Sequence, residues 1–242
     1  MNDPAVQLSI EEVLPQFPAF RVAFALVRGI TGEPPGAGIE ELATAVEADA
    51  AARLAEHDIA DLPEIRNWRA AYRAFGSKKT SYRNACEALL RRLRSGAGLP
   101  RVHPLVDLYN ALSVKYRVPA GADDLANLAP PLAFRYARPG DSFLDLAQDP
   151  PADDPPFDGE VVLADREKVL CRRWNWRQDA RSRIRAKTRD ATLVIQSLDP
   201  DGEARLTQAA EELTHHIEED LGAACHWAIA SARSPQVTLP AL

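Results

Sequence analysis

The sequence predicts an α+β fold. Three observations carry this: a short β-rich start, helical periodicity through the middle, and a strand-rich second half closed by one long amphipathic helix. The strand and helix signals come in blocks, not in the alternation that a doubly wound parallel sheet requires. At 242 residues, with no internal repeat, the chain is read as a single domain over 1–242 with a sizeable core.

Taken in order, residues 6–10 and 20–30 are apolar and rich in β-branched or aromatic side chains. They read as strands separated by the Pro15/Pro18 corner. Residues 31–38 form a loop. Ile39, Leu42, Ala43, Val46 and Ala50 recur at helical spacing opposite an acidic face, so 39–54 is a helix. A second helix spans 64–75, with Glu64 in its first turn and Gly76 placed to end it. Ser81 is positioned to cap a third, 82–93, and Pro104 opens a fourth that runs to Lys115. Pro119, Gly121 and Asp124 read as a turn where backbone comes close to something, or as a plain tight turn. Strand candidates follow at 132–137, 160–164, 168–171 and 191–198, with a stiff acidic loop at 150–156. Leu206, Ala209, Ala210, Leu213, Ile217 and Leu221 share one face of the closing helix, 203–221.

Composition narrows the class. Apolar residues make up 46% and charged residues 26% of the chain, which excludes a disordered or collagen-like protein. Three widely spaced cysteines make no disulfide framework, and the N-terminus shows no secretory pattern. No apolar run reaches the roughly 18–20 residues of a membrane span. The expectation is a soluble cytoplasmic protein.

The net charge of −6 is unevenly divided. Residues 66–101 carry 10 basic side chains against Glu87, and residues 172–189 carry 8 against Asp179, while the remainder is acidic. Aromatics interleave with both basic segments: Trp68, Tyr72, Phe75 and Tyr82 in one, Trp174 and Trp176 in the other. Such surfaces pair phosphate and stack bases, although arginine-rich helix faces are also ordinary solvated surface.

Most motifs fail on inspection. Gly76-Ser-Lys-Lys-Thr80 lacks the first glycine of a phosphate-binding loop and follows a helix instead of a strand. His103 with Asp107 has no third ligand, and the neighbouring His215 and His216 point to different helix faces; His57 and His226 are isolated. No metal and no cofactor are expected. No Gly-x-Ser-x-Gly elbow or Cys–His pair marks a nucleophile.

Three stretches carry a resemblance: Tyr82-Arg-Asn-Ala-Cys-Glu-Ala-Leu-Leu-Arg-Arg92; Leu105-Val-Asp-Leu-Tyr-Asn110 with Pro119-Ala-Gly-Ala-Asp-Asp-Leu125; and Gly159-Glu-Val-Val-Leu-Ala-Asp165 with Val169-Leu-Cys-Arg-Arg-Trp-Asn-Trp-Arg177. In order and spacing the chain resembles the free-standing B3/B4-domain proteins, similar to the editing region of the phenylalanyl-tRNA synthetase beta subunit. The resemblance runs from about 64 to 221, leaving 1–63 as a strand–helix extension. It implies a B3/B4-type fold and, from the synthetase domain, hydrolysis of the ester of wrongly charged tRNA. Pro139-Gly-Asp141 departs from the family's usual Gly-Glu pair, which shortens the reach of that carboxylate.

The expected site follows from the resemblance and the local pattern. Asp107 and Asn110 lie three apart on one helix face and can hold an ammonium group or orient a water; they can equally cap the adjacent loop. Glu160 and Asp165 bound a strand, either at a pocket or at a solvent-facing end. Asp107, Asn110 and Glu160 form the expected catalytic set. Gly121, Asp124, Arg172, Arg173, Trp174, Asn175, Arg177 and Thr188 are expected to bind substrate, Thr188 alternatively serving as a cap. Strand alternation would put Trp174 and Trp176 on one face and Arg173, Asn175 and Arg177 on the other. Arg181, Arg183, Arg185 and Lys187 are expected to guide a tRNA acceptor end.

An aminoacyl ester is already activated, so a positioned water and donors to the oxyanion suffice. The expected function is therefore a trans-acting aminoacyl-tRNA deacylase. The alternatives are a non-catalytic tRNA- or RNA-binding module and a binder or hydrolase of an amino-acid-like metabolite. No membrane or DNA partner is expected, and the chain is expected to be a monomer or weak homodimer.

Overall fold

A computed structural model describes residues 5–31, 36–54 and 58–240. Met1-Asn-Asp-Pro4, part of the 31–38 loop, and His57 lie outside the described residues. The elements run β1 (Val6–Ser9), β2 (Arg21–Arg28), α1 (Gly38–Leu54), α2 (Pro63–Ala74), α3 (Ala85–Arg94), α4 (Pro104–Tyr116), β3 (Ala120–Asp124), β4 (Leu132–Tyr136), β5 (Leu144–Asp145), β6 (Ala152–Asp153), β7 (Val161–Ala164), β8 (Val169–Arg172), β9 (Arg177–Gln178), β10 (Ala191–Ser197), α5 (Gly202–Leu221), β11 (Ala224–Ala230) and β12 (Gln236–Leu239).

Two sheets face each other. One has the strand order β12-β1-β4-β7-β8-β9 and the other β11-β2-β10-β3, and β5 and β6 form a separate hairpin. Within the larger sheet β1 and β4 run parallel; in the smaller sheet β2, β3, β10 and β11 are antiparallel to their neighbours. Strand periodicity of two sorts the side chains. On β2, Val22, Phe24 and Leu26 join the core between the sheets, with Leu8, Phe134, Leu163 and Leu170 of the larger sheet and Trp68 and Tyr72 of α2. Ala23, Ala25 and Val27 point the other way, to Leu105, Leu108 and Leu112 of α4 and Leu206, Leu213 and Ile217 of α5. Small side chains on that face let the helices lie close. α1, α3 and α4 enclose a third cluster around Cys86, Ile65 and Val114.

Four expectations are corrected. Asn84, not Ser81, caps α3, its side chain accepting from Glu87 N at 2.9 Å, so the helix begins at Ala85. Pro119 to Asp124 is not a tight turn but leads into β3, which pairs with β10. α5 does not close the fold, because β11 and β12 follow it and join different sheets. The segment expected as a strand–helix extension packed on the domain, 1–63, supplies inner strands of both sheets, β1 and β2, so it is built into the core and not only packed on it. Among the described residues no helix is long and apolar enough to cross a membrane.

Candidate functional site

A cavity of about 180 Å³ opens between the two sheets. That is below the ~300–1,000 Å³ of drug-sized sites and suits a small polar group. Strand alternation builds its floor. Ala120 and Ala122 of β3 pack toward α4 and α5, which turns Gly121 and Asp123 inward; β10 places Val194 opposite Gly121 and Thr192 opposite Asp123. Gln196, two residues on from Val194, shares that face. Asn110 of α4 and the segment from Trp174 to Gln178 complete the lining.

Asp123 is the acid of this cavity, and sequence reasoning passed over it for its neighbour. It is 5% exposed. Its Oδ1 accepts from Ser182 Oγ at 2.6 Å and Gln178 Nε2 at 3.0 Å, while its Oδ2 has no protein donor among the described residues. Burial pushes the carboxyl up to about 6, against the hydrogen bonds from Ser182 and Gln178, which favour the charged form. Asn175 Oδ1 accepts from Tyr72 at 2.8 Å, and its amide donates to Gln196 Oε1 at 3.2 Å. The Asn110 amide and Gln196 Nε2, also in the cavity lining, have no side-chain partner among the described residues. Cys171 also lines the cavity, but burial pushes its thiol up, so it stays protonated.

The structure brings Asn110, Gly121, Trp174, Asn175 and Arg177 to this cavity and places the other expected residues elsewhere. Asp107 points back to the start of α4, its Oδ1 accepting from Val102 N at 2.9 Å, so it pins the loop and does not share a pocket with Asn110. Glu160 is fully buried and does not line this cavity. Its oxygens accept from Arg172 Nε and Nη2 at 3.0 and 2.8 Å and from Arg173 N at 2.7 Å. Arg172 also pairs with Asp154 and is itself sealed, so it meets no substrate. Asp124 takes the Thr188 hydroxyl at 2.8 Å and caps the turn at Ala126, which ties the β9–β10 loop to the end of β3. Asp165 is tied up by Lys168 at 2.7 Å. Asp141 spends both oxygens on Arg135, at 2.7 Å each.

The alternation expected for 173–177 does not occur. Arg173 and Trp174 both adopt left-handed backbone, with φ of 44° and 66°, so the chain turns between β8 and β9. Trp174 drops into the core, where Phe17, Phe20 and Trp68 meet it edge-on with ring centroids at 4.7, 4.8 and 5.3 Å. Trp176 stays half-buried, with the Arg173 and Arg177 guanidinium groups against its ring. Arg181 is held by Asp179 and Ser142. Arg183, Arg185 and Lys187 are exposed on the β9–β10 loop.

Both basic segments adjoin the cavity. The loop before α3 reaches it through Tyr82, which meets the Trp176 ring at 4.9 Å, and through Ala85 in the cavity wall. The β9–β10 loop reaches it through Ser182 on Asp123. Within the first segment Glu87 gathers Arg69 and Arg91. Burial alone would raise its carboxyl, and the bonds from these two arginines hold it below the usual range.

Comparison with known proteins gives one family. The B3/4 domain matches residues 67–225. Among curated proteins none matches the chain. Among solved structures, an N-terminal fragment of the phenylalanyl-tRNA synthetase beta subunit from Pyrococcus horikoshii is similar at 12% identity, with a TM-score of 0.47 over 91% of this chain and 50% of that one. The chain thus spans half the length of that fragment.

Proposed function

From a chain that belongs to the B3/4 domain family, we propose an aminoacyl-ester hydrolase that acts on wrongly charged tRNA, with the inter-sheet cavity as the aminoacyl site. The observation that carries this reading is Asp123: a buried carboxylate in a small cavity, with one oxygen engaged and one free. A free carboxylate oxygen in a low-dielectric cavity is a strong partner for the α-ammonium of an aminoacyl group. Asn110 and Gln196 offer amide groups in the same cavity, one to orient a water and one to donate to the developing oxyanion. No covalent nucleophile is required, since the ester is already activated and positioning supplies most of the rate. The exposed Arg183, Arg185 and Lys187 on one flank, and the Lys78–Arg83 loop on the other, supply positive charge for a polyanion whose end enters the cavity.

The net charge of −6 favours a second reading, a small amino-acid-like metabolite in the same cavity. A panel of mischarged tRNAs separates the two. Release of an amino acid faster than in buffer supports the hydrolase. Tight tRNA binding without release supports a binding module, and neither result leaves the metabolite reading.

A further inference from the structure

Among the described residues, Arg173 is a buried cation with no acid of its own. It is 6% exposed, and its Nε and Nη1 are sealed from solvent with no hydrogen-bond partner. The nearest carboxylate, Glu160, is taken up by the Arg172 side chain and by the Arg173 backbone N–H. Two rings hold the guanidinium instead: the Tyr82 centroid lies at 3.9 Å and the Trp176 centroid at 4.2 Å. Rings attract the charge but accept no in-plane hydrogen bonds. Burial disfavours the charged form, so the fork is desolvated and unanswered, and its remaining edge is Nη2.

The setting is the rim of the inter-sheet cavity. Trp176 and Arg177 line that cavity, and Arg177 lies 4.7 Å from the Trp176 ring. Its carboxylate neighbour among the described residues is Asp145, at 3.6 Å. Lys79 Nζ lies 5.8 Å from the Tyr82 ring. Three cations and two aromatic rings are therefore linked in one cluster that joins the cavity at Trp176 and Arg177, while Asp123 lies in the cavity lining.

We propose that Arg173, with Arg177 beside it, forms a phosphate subsite at the rim of the cavity that takes a phosphodiester of a single-stranded nucleotide end. Nη2, the guanidinium nitrogen that is not sealed, is the donor to a phosphate oxygen, and phosphate supplies an in-plane acceptor that the rings lack. The direction of binding rests on the proposed function: the phosphate stays on the basic rim and the ester-bearing ribose faces Asp123.

Isothermal titration of the full chain with the trinucleotide CpCpA, with 5′-AMP and with inorganic phosphate tests the subsite. CpCpA is expected to bind more tightly than inorganic phosphate. Arg173→Gln should weaken CpCpA by about tenfold or more, and Arg173→Lys by several-fold, because lysine keeps the charge and loses the planar stack between the two rings. Inorganic phosphate binding as tightly as CpCpA overturns the nucleotide assignment. An unchanged affinity in a folded Arg173→Gln variant overturns the subsite and leaves Arg173 as a clamp on the rings. If that variant fails to fold, Arg173→Lys decides by the same criterion. None of these probes carries an ester, so failure here leaves the hydrolase reading standing, and absent hydrolysis leaves the subsite standing.

Discussion

Glu160 sits between β7 and the 173–176 turn with both oxygens occupied by Arg172 and by backbone N–H groups. Asp123, on the inner face of β3, is enclosed to a similar degree but has donors on only one oxygen. A saturated carboxylate specifies structure: Glu160 fixes Arg172 and the backbone of Arg173, and so sends Trp174 inward. A half-satisfied carboxylate beside a cavity is costly to the fold and available to a ligand. The difference marks which of two buried acids belongs to a site, and it is set by partners, not by burial.

The largest expected effect lies at the saturated acid. Glu160→Ala leaves the buried Arg172 with Asp154 alone and the Arg173 N–H without its acceptor, and should cost about 3–5 kcal/mol of stability in chemical denaturation. A variant that keeps wild-type stability and loses hydrolysis would instead make Glu160 catalytic. Asp123→Asn should do the reverse, lowering hydrolysis on the order of 100-fold while leaving the denaturation midpoint equal to or above that of the wild type.

The pH dependence sharpens the same contrast. The folded Asp123 carboxyl titrates near 6, above its ordinary value of 3.8. Between those two values the folded state binds more protons than the unfolded one, so this group's contribution to stability falls as pH rises through that window. Comparing melting temperatures of wild type and Asp123→Asn from pH 4 to 7 should show a decline in the wild type that the variant lacks. Glu87 is held low by its arginines, so its contribution is present above its unfolded value and is lost as pH falls. The smallest effect is at Asp107. Asp107→Ala removes a loop-pinning acceptor and should cost about 1 kcal/mol, with hydrolysis otherwise intact; a large loss of hydrolysis in a stable protein would return Asp107 to the site.

Much of this architecture is legible in the sequence, and the failures have physical causes. Apolar spacing located α1 and α5 to within a few residues, because each buries one stripe, and end signals located α2 and α4: Glu64 and Gly76 for one, Pro104 for the other. β3 escaped because Ala120-Gly-Ala-Asp-Asp124 has little intrinsic strand preference and is extended by its pairing with β10. Alternation in that pentapeptide would have put Gly121 and Asp123 together, and reading it as a turn led to Asp124 instead. β11 went unread although Cys225, Trp227 and Ile229 alternate with their neighbours. The left-handed pair at Arg173 and Trp174 had no local signal at all. It is associated with Glu160, thirteen residues from Arg173. Asn110, Gly121, Asn175 and Arg177 were named and line the cavity; Asp123, which lines it with them, was not named.

The most direct measurement of the central claim is an NMR titration of the full chain with 3′-aminoacylamino-3′-deoxyadenosine, whose amide replaces the labile ester. The account predicts saturable shifts in the backbone amides of Asn110, Gly121, Asp123 and Gln196, lost in Asp123→Asn. Shifts confined to other surfaces, or shifts at these four residues that persist unchanged in Asp123→Asn, would contradict it.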